Sequence, residues 1–230
     1  MRSISRTALV VGLLLFASQA ARATTLLQSY TDLPTWQTAI TQLGDDTFET
    51  APGQGNSSTY SNPSGYTDAL GVDFVGSFDT GTNYLELVNP SLSSYFNFGS
   101  GASVESGLAQ PGRSPYLLAT LPAGITALAL NVMTYGNAYP VTLTASDGTT
   151  VTVNTASLQQ SFYGFTFTAP ISWFKVSIPG APSFTSVLLD NFTIGTASVV
   201  ESDPVPEPGT CLLIGMGLVL LALLKKQRPA

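Results

Sequence analysis

The chain has 230 residues, no histidine, one cysteine and a formal net charge of −6. The only cysteine is Cys211 near the C-terminus, so the body forms no disulfide, no zinc centre of the usual Cys/His kind and no histidine-based catalytic site. Thirteen of the fourteen acidic residues lie between Thr24 and Asp203, against Arg113 and Lys175 alone, a net −11. Such a surface repels nucleic-acid phosphates and anionic lipid, which excludes both as partners of the body, and it attracts metal cations.

Residues 1–23 have the three parts of a signal peptide. Arg2 and Arg6 are basic, Ala8–Phe16 is a nine-residue apolar run too short to span a bilayer, and Ala21-Arg22-Ala23 places small residues at Ala21 and Ala23 for cleavage. The mature chain is expected to begin at Thr24, outside the cytoplasm.

Residues 24–200 read as one body. A single short helix is expected from Tyr30 to Gly44: Thr31 or Asp32 caps it, Pro34 suits the first turn, and Leu33, Trp36, Ile40 and Leu43 share a face. Beyond Gly44 the period becomes that of strands, punctuated by Gly, Pro, Asn and Asp. The expected strands are 47–50, 70–75, 84–88, 95–98, 116–120, 125–134, 141–145, 149–154, 163–168, 173–178 and 186–194. Tyr163, Phe165 and Phe167 share one face, as do Phe174, Val176 and Ile178, and Asp147-Gly148 is a hairpin-turn signal. Many short strands without a βαβ unit predict an all-β fold, an antiparallel sandwich or barrel.

Few residues in this body point to chemistry. Asp79-Thr80-Gly81 matches the aspartic-protease triplet, but that reaction needs two aspartates sharing a proton, and the triplet sits where a turn is expected. In the strand 186–194, Asp190 either shares a buried face with Leu188, Phe192 and Ile194, or faces water while Val187 and Leu189 point to the core. In the first case its carboxylate needs a partner, and Ca²⁺, which takes carboxylate and carbonyl oxygens, is a suitable one. Tyr60, Tyr66, Tyr84, Tyr95, Tyr116, Tyr135 and Tyr139 are aromatics suited either to stacking on sugars or to packing. Two matches to the N-glycosylation sequon stand at Asn56 and Asn191, a pattern short enough to arise by chance.

The C-terminal part divides again. Residues 201–208 (ESDPVPEP) form an acidic, proline-rich linker, extended because proline fixes φ and removes donors. Residues 209–230 then carry an apolar run to Leu224, closed by the basic stop Lys225, Lys226 and Arg228. Sixteen residues of helix from Gly209 to Leu224 reach about 24 Å at ~1.5 Å each, short of the ~30 Å hydrocarbon core, a gap that snorkelling lysines and local thinning cover. A transmembrane helix is expected, with the body outside and the basic end inside.

Val205-Pro206-Glu207-Pro208, the short apolar helix and the basic end closely resemble the PEP-CTERM sorting signal. That resemblance implies export in a Gram-negative-type cell that makes exopolysaccharide, and recognition and processing by a membrane enzyme of the exosortase type. Asp46-Thr47-Phe48-Glu49, Gly71-Val72-Asp73-Phe74 and Leu188-Leu189-Asp190-Asn191-Phe192 also resemble bodies common among PEP-CTERM proteins. Similar first and last strands occur in jelly-roll carbohydrate-binding modules. A jelly-roll-like sandwich implies that Glu49 lies beside Asp190, where the two would hold a structural Ca²⁺. The expected function is a non-catalytic surface or matrix protein that binds exopolysaccharide, with an exported polysaccharide-acting hydrolase as the alternative.

Overall fold

Alternation of apolar and polar side chains builds this molecule. In the strand Trp173–Ser177, Phe174 and Val176 are buried, whereas Trp173, Lys175 and Ser177 remain half-exposed. Its neighbour Pro115–Thr120 buries Leu117 and Ala119 on the same side. The computed structural model describes residues 25–48, 58–60, 65–79, 84–88 and 102–198. Within them fourteen strands and one helix follow in chain order: β1 (Leu26–Tyr30), α1 (Leu33–Thr38), β2 (Ile40–Asp46), β3 (Ser58–Tyr60), β4 (Tyr66–Thr67), β5 (Asp73–Phe78), β6 (Leu85–Val88) and β7 (Ser103–Ser106). The second half adds β8 (Pro115–Thr120), β9 (Ala127–Tyr135), β10 (Pro140–Ala145), β11 (Thr150–Asn154), β12 (Ser161–Phe167), β13 (Trp173–Ser177) and β14 (Ser186–Ala197).

The strands form an antiparallel two-sheet sandwich. The first sheet runs β1-β12-β9-β14-β7-β6-β3, with β2 also paired to β14; the second runs β11-β10-β13-β8-β5-β4. Phe165, Phe192 and Leu130 of the first sheet face Phe174, Phe74 and Leu143 of the second in one apolar core. Edge-on aromatic packing joins the layers, with Phe74 and Phe192 centroids 5.2 Å apart at 85°. The predicted Asp147-Gly148 turn closes the β10–β11 hairpin, with Gly148 at φ 90°.

The N-terminal reading requires correction. The helix is a six-residue turn, Leu33–Thr38, rather than 30–44. Asp32 caps it, its Oδ1 accepting from the Thr35 N–H at 2.9 Å. Residues 40–46 instead form β2 along the C-terminal half of β14, and residues 26–30 form β1 on the outer edge of β12. Tertiary pairing decides this against local periodicity: six cross-strand partners from Ile40 to Asp46 satisfy backbone groups that a short helix leaves open. The four-residue face dissolves with it. Trp36 is fully buried, but Leu33 and Leu43 are 41% and 57% exposed. Trp36 lies on Tyr30, Ala127 and Ala129 and closely over Gly164, and its Nε1 donates to the Phe165 carbonyl at 3.3 Å.

A β-bulge divides β14. Asp190 pairs with Asn131 but Thr193 pairs with Ala129, so three steps on β14 match two on β9. Asn191 absorbs the extra residue at φ 50°, a left-handed conformation that Asn tolerates better than most side chains. The bulge reverses the parity. Val187 and Leu189 face the core before it, and Phe192 and Ile194 face the core after it.

Candidate functional site

The outer face of the second sheet carries a groove of about 470 Å³, lined by Tyr116 and Leu118 of β8, Trp173, Lys175 and Ser177 of β13, and Asp79 among others. The register fixes the order of these side chains. Ser177 lies opposite Tyr116, Lys175 opposite Leu118, and Trp173 opposite Thr120. From Tyr116 to the Trp173 level is four residues along β8, about 13 Å at ~3.3 Å per residue. The Lys175 ammonium lies 5.6 Å from the Tyr116 ring centroid and so holds that end of the groove by cation–π attraction. Beyond β13, the same face continues as Thr142 and Thr144 on β10, paired with Thr152 and Thr150 on β11. Two aromatic faces, one ammonium and a row of hydroxyls therefore share one open surface.

Asp79 belongs to the turn at the end of this groove. Its Oδ1 accepts from the Ser114 N–H at 2.9 Å, and its own N–H donates to the Ser114 carbonyl at 3.0 Å. Thr80 and Gly81 lie outside the described residues. Of the tyrosines singled out by sequence, only Tyr116 among the described residues lines the groove. Tyr66 is buried on Asp46, Tyr84 donates to Glu86 at 2.7 Å, Tyr139 donates to the Pro179 carbonyl at 3.0 Å, and Tyr135 is half-buried beside Met133 and Leu188. Tyr95 and the side chain of Tyr60 lie outside the described residues. Trp173 was missed as a binding residue. The available signal was its place on the polar side of the strand that buries Phe174 and Val176.

Asp190 has the facing of the second sequence reading, with Val187 and Leu189 to the core, but it does not face water. It points away from the core, on the side of Leu188, yet it is fully buried. The bulge is the reason: it sets Asp190 apart from Phe192 and Ile194, and Asp190 Oδ1 accepts from the Asn191 N–H at 2.6 Å. On the same face, Glu105 of β7 accepts from the Ser186 hydroxyl at 2.5 Å and lies directly across from Glu86 of β6. Burial, aided by the Glu86 charge and opposed by the Ser186 hydrogen bond, pushes the Glu105 carboxyl up to about 7. Ser103, one position beyond Val104 on β7, is fully buried, and its hydroxyl has no hydrogen-bond partner.

A second buried acidic pair closes the corner between β2 and the β4–β5 hairpin. Asp46 accepts from the Phe48 N–H at 2.6 Å and from the Tyr66 hydroxyl at 3.2 Å. Asp68 Oδ1 accepts from the N–H groups of Leu70 and Val72, while its Oδ2 is buried without a partner. Burial raises both carboxyls above the usual carboxylate range, and the Asp68 charge adds to the rise at Asp46. Among the described residues, no group of three or more His, Cys, Asp or Glu is arranged to hold a metal ion.

Glu49, the cleavage residues Ala21 and Ala23, the motif Val205-Pro206-Glu207-Pro208 and the basic stop Lys225, Lys226 and Arg228 lie outside the described residues. The tail is nevertheless decided by comparison. Residues 204–228 match the model of the PEP-CTERM protein-sorting motif. The chain carries the PEP-CTERM sorting motif. It is therefore an exported, sorted protein. Among the described residues, no helix is long and apolar enough to cross a membrane.

No curated protein matches the chain. Similar solved structures include the carbohydrate-binding module TmCBM61 in complex with β-1,4-galactotriose, at 18% identity and TM-score 0.38, covering 54% of this chain and 88% of that one. They also include the K2 cleaved adhesin domain of Lys-gingipain, at 13% identity and TM-score 0.41, covering 66% and 99%. A third is a family 11 carbohydrate-binding module of a Clostridium thermocellum cellulosomal cellulase, at 11% identity and TM-score 0.33, covering 68% and 97%.

Proposed function

We propose that this chain is a non-catalytic cell-surface or matrix protein whose body binds exopolysaccharide in the groove between Tyr116 and Trp173. The observation that carries the reading is the combination of two aromatic faces with Lys175 and paired threonine rows on one open sheet face. Aromatic rings stack on the apolar faces of sugar rings, and the hydroxyls and ammonium exchange hydrogen bonds with sugar hydroxyls. A body at −11 repels a polyanion, so the polysaccharide is a neutral one. In this reading signal peptidase cuts after Ala23, residues 209–224 hold the chain in the inner membrane, and an exosortase-type enzyme acts on the tail to pass the body to the surface. A structural Ca²⁺ bound by Asp190 and Glu49 belongs to the same reading: the buried Asp190 carboxylate and the hydroxyl of Ser103 are hard oxygen donors of the kind Ca²⁺ takes.

Affinity electrophoresis of the full-length chain, in mild detergent, through gels containing neutral β-glucan, galactan or acidic alginate tests the groove. Retardation in a neutral gel, weakened tenfold or more by Trp173→Ala, is expected. Equal retardation of the wild type and Trp173→Ala would remove the groove from the function.

One observation favours a polysaccharide hydrolase as the second reading. Glu86 and Glu105 are cross-strand neighbours on one face, a paired-carboxyl arrangement, and the Glu105 carboxyl is pushed up to about 7, as suits a general acid. Glu105 is only 5% exposed, which places this reading behind the groove. Release of reducing ends from a neutral polysaccharide, abolished by Glu105→Gln, would reverse that order.

A further inference from the structure

Four loops gather at the end of the sandwich where β14 begins: 107–114, 136–139, 155–160 and 178–185. Their one charged residue is Arg113, whose guanidinium lies 4.5 Å from the Phe78 ring centroid, although the body carries a strong negative charge. Instead they expose apolar side chains singly: Leu108 at 38%, Leu158 at 41% and Phe184 at 72%. Leu158 and Phe184 hold left-handed backbones, at φ 61° and 66°, which bulky side chains rarely adopt.

The end of β9 organises this array. The Leu158 N–H donates to the Thr134 carbonyl at 2.9 Å. Gly136 passes so close beneath the Phe184 carbonyl that a Cβ there would collide with it. The Phe184 N–H donates to the Ala109 carbonyl at 2.9 Å, and the Ala109 N–H returns the bond to Thr185 at 2.7 Å, which brings Leu108 alongside. Three loops are thus pinned side by side in the sheet order β12-β9-β14-β7, carrying the exposed Leu158, Phe184 and Leu108 as a row, with exposed Asn137 and Gln159 in the same group of loops. Backbone strain at an exposed aromatic, maintained by hydrogen bonds on both sides, marks a functional position.

The chemistry of this row is apolar faces interleaved with amides and free of charge. That suits a ligand that is itself uncharged and presents both C–H faces and hydroxyls. A protein partner of ordinary size would need a wider continuous apolar core. The row also sits at a useful place. The twelve residues of β14 span about 40 Å at ~3.3 Å per residue, with the row at the Ser186 end. The groove on the second sheet opens toward the loop end, at Ser114 and Pro179.

We infer that this loop end is a second contact for neutral polysaccharide, with Phe184 as its stacking face, so that one body holds two polysaccharide strands. The inference rests on the polysaccharide reading of the ligand but not on the groove. Two contacts on one body convert binding into cross-linking.

The test uses the full-length chain in mild detergent with a long neutral β-glucan and a short β-gluco-oligosaccharide. Phe184→Gly keeps the left-handed backbone without strain and removes the ring, so the variant folds at least as readily. Wild type is expected to make the long glucan turbid. Phe184→Gly is expected to retain oligosaccharide binding within about twofold while turbidity falls at least tenfold. Equal turbidity for wild type and Phe184→Gly overturns the second contact and leaves the groove standing. Binding lost in Phe184→Gly but kept in Trp173→Ala overturns the groove and supports the loop end. A wild type that binds no neutral glycan, or that sediments as an oligomer which Phe184→Gly dissolves into monomers without glycan, overturns the inference, the latter by making the row a contact between copies of this chain.

Discussion

Replacing Glu105 with glutamine removes a titration that opposes folding. The Glu105 carboxyl is 5% exposed, and burial pushes it from the ordinary 4.5 up to about 7, with the neighbouring Glu86 charge adding to the rise. Below pH 4.5 the group is protonated in both folded and unfolded chains and costs nothing. Between pH 4.5 and 7 the unfolded chain ionises first, so stability falls as pH rises. Above 7 the cost is complete, about 3 kcal/mol at ~1.4 kcal/mol per pH unit. Glutamine keeps the shape and can still accept the Ser186 hydroxyl, but it carries no charge to desolvate. Glu105→Gln should therefore melt several degrees above the wild type at pH 8 and match it near pH 4.5, at roughly 2–4 °C per kcal/mol for a body of this size. Thermal unfolding followed by circular dichroism across pH 4.5–8 reads both chains. Parallel curves, with the same difference in melting temperature at every pH, would refute the argument, because the desolvation cost must vanish once both states are protonated.

Gly164→Ala places a Cβ within 2.6 Å of Trp36 Cγ, a fully buried ring with no room to retreat, and should destabilise the body by about 1–3 kcal/mol in urea unfolding. N-terminal sequencing of exported material should begin at Thr24, and deleting residues 209–230 should move the protein from membrane to soluble fractions; a truncated chain that still pelleted with membranes would end the anchor reading. Ca²⁺ should raise the melting temperature of the wild type by several degrees over chelator, about 2.7 kcal/mol at a hundredfold excess over Kd, and Asp190→Ala should abolish the difference. A shift that survives Asp190→Ala would move the cation elsewhere on the acidic surface.

Much of the body was legible because its strands alternate. Tyr163, Phe165 and Phe167, or Phe174 and Val176, announce one buried face whatever they pack against, and Asp147-Gly148 dictates a hairpin through backbone conformation alone. The sorting tail was legible for a similar reason: apolar length, proline and terminal charge act locally, and the match over residues 204–228 agrees with them. The N-terminal strands were not. Residues 40–46 carry a helical period, and only the open edge of β14 turns them into a strand. Ser103–Ser106 is absent from the expected strands, yet it forms β7 with every residue buried, because β6 and β14 flank it on both sides. The candidate sites divided the same way. A period-2 reading of Asp190 offered either a buried face shared with Phe192 and Ile194 or a face open to water; a single extra residue at Asn191 separates it from those two, and the outer face it shares with Leu188 is itself buried. The groove and the loop end depend on which strands adjoin and which loops share an end. Those are properties of pairings between residues far apart in the chain, and tertiary structure alone decides them.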